Sequence, residues 1–477
     1  MYAPSTDNSN HVGASWGARC AVAIALGAAF WFVGHSFTES RVTQRQGSLL
    51  ASRVENQFAE QQKVTNIGSA AGYLLVAAVG AACWMTAPRV AWAWRSPLMW
   101  LGLAYLLWCV ASMAWSIEPS LSLRKLAILG FMYVGAVGLA SRFDLDDLAW
   151  ITVLTFFGYL VVGVAAEAAC GTLRPWSNGY RFSGTCHPND QGLQCALLVL
   201  TAGFLTWRHR SRVWLQGALI AAGLAGLAMT KSRTTLAALL VAVGLAAVVR
   251  WRGPRRWIVV CGGLLLTCLA GLAAAFSSVA ARDGLADVAA MGRRENIGTL
   301  SGRLPLWKQA WIEAQDRLIA GHGYGAFWRE RNVLRFSKRF AWHIPHAHNA
   351  YIDHVLATGL VGLLLFLAWV ITAAAAALRR AEQPGRASSY LVVSLIAFSL
   401  VHGVSESKLP GAGMAGFVLL AAIACVTLHR PQLEAQLAAE PMEPTPGLRP
   451  WRLGSCGWQP AGAPRWPSMP TPARGGR

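Results

Sequence analysis

His343, His346, His348 and Asn349 stand within one seven-residue stretch, HIPHAHN, that runs straight into an apolar segment at 351–378. Histidine is the side chain that exchanges a proton near neutral pH, so a cluster of this kind can supply a general base. Three imidazoles could also hold a metal. No neighbouring Cys or Asp/Glu pair completes a zinc pattern, however, so no metal and no cofactor is expected. Asn349 suits the N-cap of the helix that follows, which leaves a purely local role open. A polar group left unpaired beside lipid costs roughly 2–7 kcal/mol. The cluster therefore either caps a helix or does chemistry at a membrane surface.

The elements that would position it follow from composition. Of the 477 residues, 55% are hydrophobic and only 13% charged, about half the charged fraction of a soluble chain. Apolar runs of bilayer-spanning length recur near 18–34, 67–87, 97–116, 121–141, 148–170, 190–207, 213–230, 233–250, 257–276, 351–378, 388–407 and 411–429. The fold class expected is an all-α membrane protein with about twelve transmembrane helices. No basic stretch precedes the first run, and it does not read as a cleavable signal peptide.

A net charge of +20 could suggest nucleic acid, but the basic residues sit in alternate short connections: Arg89 and Arg95, Arg142, Arg208 to Arg212, Arg250 to Arg256, and Arg379 to Arg386. That is the positive-inside pattern; it puts both termini in the cytoplasm and argues against a nucleic-acid partner. The connections 35–66, 117–120, 171–189, 230–233, 277–350 and 408–410 then face outward. A multi-pass location in a membrane with one face on the cytoplasm follows. Cys170 and Cys186 bracket an outward loop where a disulfide is permitted, and sequence leaves their pairing open.

Residues 1–430 read as one polytopic unit, with 277–350 inserted between the ninth and tenth spans. Within that insert, 304–320 carries Leu306, Ala310, Trp311, Ala314 and Leu318 at helical spacing and reads as an amphipathic helix. Gly321-His-Gly-Tyr-Gly325 breaks it, and a second helix is expected over 326–340. Residues 431–477, rich in Pro, Gly and Arg, read as a disordered cytoplasmic tail.

Arg181, Arg233 and Arg303 all fall on the outward side. Arg233 lies in a very short turn, where it either snorkels or serves a ligand; Arg181 and Arg303 could be plain loop arginines. The 277–350 insert holds eleven Lys/Arg and six Asp/Glu. An anionic partner would account for that excess, as would contact with anionic headgroups. Asp144-Leu-Asp146-Asp147 looks like an Asp-x-Asp metal motif but starts a helix on the opposite side, where acids favour the dipole. Glu406, at an outward helix end, could orient a partner, and Lys408 beside it could simply pair with it.

Four motifs in order resemble a known family. His348-Asn349, nine residues, then Gly359-Leu-Val-Gly362 is similar to the signature of bacterial O-antigen ligases and polymerases. RFSGTCHPND at 181–190, TKSRTTLAALL at 230–240 and SGRLPLWKQAWIEAQDRLIAGHGYG at 301–325 resemble its other segments, so the likeness covers about 115–420. It implies a metal-independent glycosyltransferase that moves a glycan from polyprenyl (undecaprenyl) diphosphate to an acceptor hydroxyl on the periplasmic side, with lipid A–core as the first expectation for the acceptor. The roles implied are His348 as base, Arg181, Arg233 and Arg303 on the diphosphate, and Asn349 and Glu406 as positioning groups. A polymerase extending a growing O-antigen or exopolysaccharide uses the same donor. A lipid-linked sugar flippase is the alternative from another class; it would be expected to carry internal repeats and midplane charges, and neither is evident.

Overall fold

The computed structural model describes residues 14–34, 51–87, 91–92, 96–177, 179–209, 212–250, 303–383, 387–407 and 413–429, with backbone alone at 51–67 and 91–92. The expected span at 257–276, the first part of the large insert and the tail lie outside the described residues.

Helices dominate. They are α1 (Trp16–Gly34), α2 (Ala51–Met85), α3 (Pro97–Ala111), α4 (Pro119–Arg142), α5 (Leu145–Ala169), α6 (Pro188–Arg208), α7 (Val213–Thr230), α8 (Arg233–Arg250), α9 (Arg303–Gln315), α10 (Glu330–Phe340), α11 (Ala350–Ala381), α12 (Tyr390–Gly403) and α13 (Met414–Thr427). Seven are long and apolar enough to cross a membrane, among the described residues; α8, α12 and α13 are shorter apolar helices. Each expected span inside the described residues coincides with one of these helices. One boundary differs: 35–66 was expected as a connection, yet α2 already begins at Ala51.

The helix starts are written in the sequence. Pro97, Pro119 and Pro188 sit in first turns, where the missing N–H costs nothing. The Asp144 carboxylate accepts from the Asp147 N–H, and Asp147 also binds Arg19. The Asp-x-Asp sequence is thus a helix cap. Cys170 and Cys186 are unbridged, and Cys186 lies against Gln191 instead.

The bundle has two chemically distinct ends. At one, Arg142 donates to the Thr86 carbonyl, Arg208 pairs with Asp146, Arg380 donates to the Cys425 carbonyl, and Ala91–Trp92 pairs antiparallel with Leu428–His429. The opposite end carries a small cap built from α9, α10 and the start of α11. Its own core holds Leu306, Ala310, Ala314, Phe327, Phe336 and Ile344. α9 is shorter than expected, giving way to turns at 316–320. Trp311 was expected on its apolar face but is 41% exposed, because the buried stripe runs along 306, 310 and 314 alone.

The cap is joined to the bundle through a break in α11. Gly359 takes φ 69°, ψ −172°, which ends helical geometry there. The break leaves backbone groups without helical partners. His322 and Gly323 N–H donate to the Leu356 and Ala357 carbonyls, and the Leu360 N–H donates to the Leu318 carbonyl. Trp108 Nε1 donates to the Thr358 carbonyl. Each exposed backbone group thus finds a partner, as its low-dielectric surroundings require. An unbroken helix of 32 residues would be about 48 Å long, well beyond a bilayer core; the part from 360 to 381 alone is about 33 Å. Residues 350–358 therefore belong to the cap, and His348 with Asn349 sits at its threshold.

Candidate active site

The candidate residues meet at the cap. Glu406, just past the end of α12, is 3% exposed. Its Oε1 accepts from the Arg303 guanidinium at 2.7 Å and from Asn189 Nδ2 at 2.7 Å. Its Oε2 lies 3.3 Å from His348 Nδ1. Asn189 also accepts from Arg181 Nη2 at 2.9 Å, and Arg181 Nε donates to the Thr230 carbonyl at 3.0 Å. Burial alone would raise the Glu406 pKa, but the hydrogen bond from His348 and the charge of Arg303 overcome it and hold the carboxyl well below its usual range. Four of the expected residues, drawn from distant parts of the chain, therefore share one hydrogen-bonded network.

Arg233 reaches the same end by position. It is half-buried and opens α8, whose first turn lies against the end of α12 through Thr235 Oγ1 and His402 Nε2, 3.3 Å apart. Asn349 is the N-cap of α11: its side chain accepts from the Tyr351 and Ile352 N–H groups. It also donates to the Val404 carbonyl, tying the cap to the end of α12.

Three helix N-termini meet around Glu406, and a fourth, that of α8, lies at the same end of the bundle. Asn189 lies in the first turn of α6, Arg233 opens α8, Arg303 opens α9, and Asn349 caps α11. Each helix start carries about half a positive charge. With the Arg181 and Arg303 guanidinium groups and one carboxylate added, the site is net positive and suits an anion such as a phosphate.

His348 is held in an unusual conformation. Its φ of 51° is left-handed, which costs a non-glycine residue roughly 1–2 kcal/mol. The neighbouring backbone is fixed on every side. Asp353 accepts from the Ala347 N–H, Trp307 donates to the Ala347 carbonyl, and Ser407 Oγ accepts from the Asn349 N–H. The His348 N–H itself donates to His346 Nδ1, so His346 supports His348. An ionised Glu406 can only accept, so the hydrogen of this contact sits on His348 Nδ1, and Nε2 is the other ring nitrogen. That Nε2 is buried and has no hydrogen-bond partner among the described residues. No group of three or more His, Cys, Asp or Glu able to hold a metal occurs among the described residues.

Two contributors went unassigned in the sequence reading. Asn189 bridges Arg181 to Glu406. Glu167, 2% exposed at the end of α5, accepts from the Ser183 and Gly184 N–H groups and from the Tyr180 hydroxyl, fixing the loop that presents Arg181.

A multi-pass helical bundle, a cap inserted before a broken helix, and a His-Asn threshold beside clustered polar groups define an integral-membrane protein, part of which is similar to O-antigen ligases. Residues 217–367 match the family model described as O-antigen ligase. That stretch contains Arg233, Arg303, His348 and Asn349, while Arg181 and Glu406 lie outside it. The chain is also 26% identical over 304 residues to the exopolysaccharide production protein ExoQ of Rhizobium meliloti (strain 1021). The similarity covers 59% of this chain and 66% of that relative, so the chain spans just under two thirds of the relative's length.

Proposed function

We propose that the protein transfers a glycan from polyprenyl diphosphate to an acceptor hydroxyl at the periplasmic face of the inner membrane, with no metal taking part. The observation that supports this reading is the pairing of His348 Nδ1 with Glu406 in a network that also holds Arg303 and, through Asn189, Arg181. The acceptor hydroxyl lies against His348 Nε2 and attacks the anomeric carbon. As the new C–O bond forms, its proton passes to Nε2, a step worth roughly 10²–10⁴-fold. The bond to the diphosphate oxygen breaks, and the leaving group takes the electron pair. Arg181, Arg233 and Arg303 with the helix ends meet the charge that develops there. Glu406 stabilises the imidazolium, and Asn349 sets the register of the His348 loop.

The first acceptor to test is lipid A–core, which makes the protein an O-antigen ligase. The similarity to an exopolysaccharide production protein favours a second reading, a polymerase that adds repeat units to a growing glycan from the same donor. Deletion followed by gel analysis of surface polysaccharide separates them: loss of a ligase leaves long polymer on the carrier, and loss of a polymerase leaves single units. For the transfer step itself, the test is purified protein in proteoliposomes with labelled carrier-linked glycan and acceptor. His348→Ala is expected to abolish product at unchanged protein level; near-normal product would overturn the assignment. Translocation of the carrier-linked glycan without any product would favour a flippase instead.

A further inference from the structure

A second basic concavity lies in the cap, away from Glu406. It has a volume of about 280 Å³ and is lined by Arg329, Arg331 and Arg335, together with Asn332, His322 and Glu313. Its volume falls near the lower end of ligand pockets, enough for one charged group or sugar ring. Arg303 opens α9 and Glu313 lies ten residues further along it, which places the two about 15 Å apart on the helix axis. The cleft is therefore separate from the Glu406 network.

Charge in the cleft is unbalanced. Glu313 pairs with Arg335 at 2.7 Å. Arg329 donates through Nη1 to the Ile117 carbonyl at 3.3 Å, but its buried Nε has no partner among the described residues. Arg331 makes no hydrogen bond or ion pair among them. Among the described residues, two guanidinium charges thus have no carboxylate partner in this concavity, and each guanidinium is a planar fork suited to two oxygens of an oxyanion. Phe327, whose ring packs in the cap core, backs the cleft.

We propose that this cleft is an oxyanion subsite that holds a phosphate or carboxylate substituent of the glycan being transferred. This rests on the glycan-transfer reading for its ligand, but the binding itself is measurable without any turnover. The experiment uses the purified full-length chain and follows its thermal midpoint with inorganic phosphate, with glucuronate, and with chloride at matched ionic strength. Arg331→Gln combined with Arg335→Gln is the variant; both side chains are exposed, so the fold is not at risk. Wild type is expected to be stabilised by phosphate or glucuronate beyond chloride. The variant is expected to bind the effective anion about tenfold more weakly or worse, having lost charge-assisted hydrogen bonds. Stabilisation by phosphate alone identifies a phosphate substituent, and by glucuronate alone a carboxylate. His348→Ala should keep the wild-type response, which separates this subsite from the transfer centre. An equal response in wild type and the double variant, or no response beyond chloride in wild type, overturns the subsite and leaves the transfer reading standing.

Discussion

At the residue scale, Glu406 decides which nitrogen of His348 carries the proton, and its two oxygens cannot exchange roles. Oε1 faces two donors, Arg303 and Asn189, while Oε2 faces His348. Glu406→Gln keeps size and shape, yet the two donors fix the amide oxygen on their side. The amide nitrogen must then donate to His348 Nδ1, which moves the imidazole proton to Nε2 and removes the base. Turnover of Glu406→Gln is expected to fall by about 10²–10⁴-fold with little change in donor KM, read from initial rates in proteoliposomes. A variant with wild-type turnover would mean that Glu406 is only a structural tie. That Arg181, Arg303, His348 and Glu406 would lie at one end was legible from topology, since polar groups at the edges of apolar runs are costly; the family resemblance, not topology, marked the histidine and the arginines as a set. Asn189 was not legible, since its partner Glu406 lies 217 positions away. Glu167 was not either: a glutamate at a helix end before a loop reads as solvated, and only the folded loop reveals its donors in Tyr180, Ser183 and Gly184.

At the scale of elements, the break at Gly359 sets the distance between the membrane and the His348 loop. The sequence displays 351–378 as one apolar run, and periodicity cannot reveal an interruption that a glycine fits without changing hydropathy. The need for glycine is visible only in the fold. Its φ is 69°, and a Cβ there would fall against the Ile319 carbonyl and within 2.6 Å of the Ala320 nitrogen. Gly359→Ala therefore adds strain of roughly 1–3 kcal/mol besides the clash with backbone that cannot move aside. The expected outcome is loss of the bonds joining 318–323 to 356–360, read as faster hydrogen exchange across 318–323. Gly158→Ala on α5, with nothing within 4 Å of its added Cβ, is the matched control. Equal protection in both variants would mean the cap docks by other contacts. The first cap helix was readable from its spacing, apart from Trp311, whose place in the stripe depended on which side of α9 the cap core would occupy; the second, expected over 326–340, begins only at Glu330.

At the scale of the whole molecule, the sorting of charge between the two ends carries the orientation. Arg142, Arg208 and Arg380 gather with the paired strands at one end, and His348, Arg181, Arg303 and Glu406 at the other. The alternation of basic connections already implied this division, because arginine is held on the cytoplasmic side. The meeting of the α6, α9 and α11 N-termini around Glu406 could not be read in advance, as it depends on how the helices pack. Cys170 provides a direct test, since it is exposed at the end that holds the network. A chain in which Cys170 is the sole cysteine should react with a membrane-impermeant maleimide once the outer membrane is permeabilised, before the inner membrane is lysed. In a cysteine-free chain, Thr86→Cys marks the opposite end and should react only after lysis. The reverse pattern would turn the Glu406 network toward the cytoplasm, and a periplasmic acceptor hydroxyl could then never reach His348 Nε2.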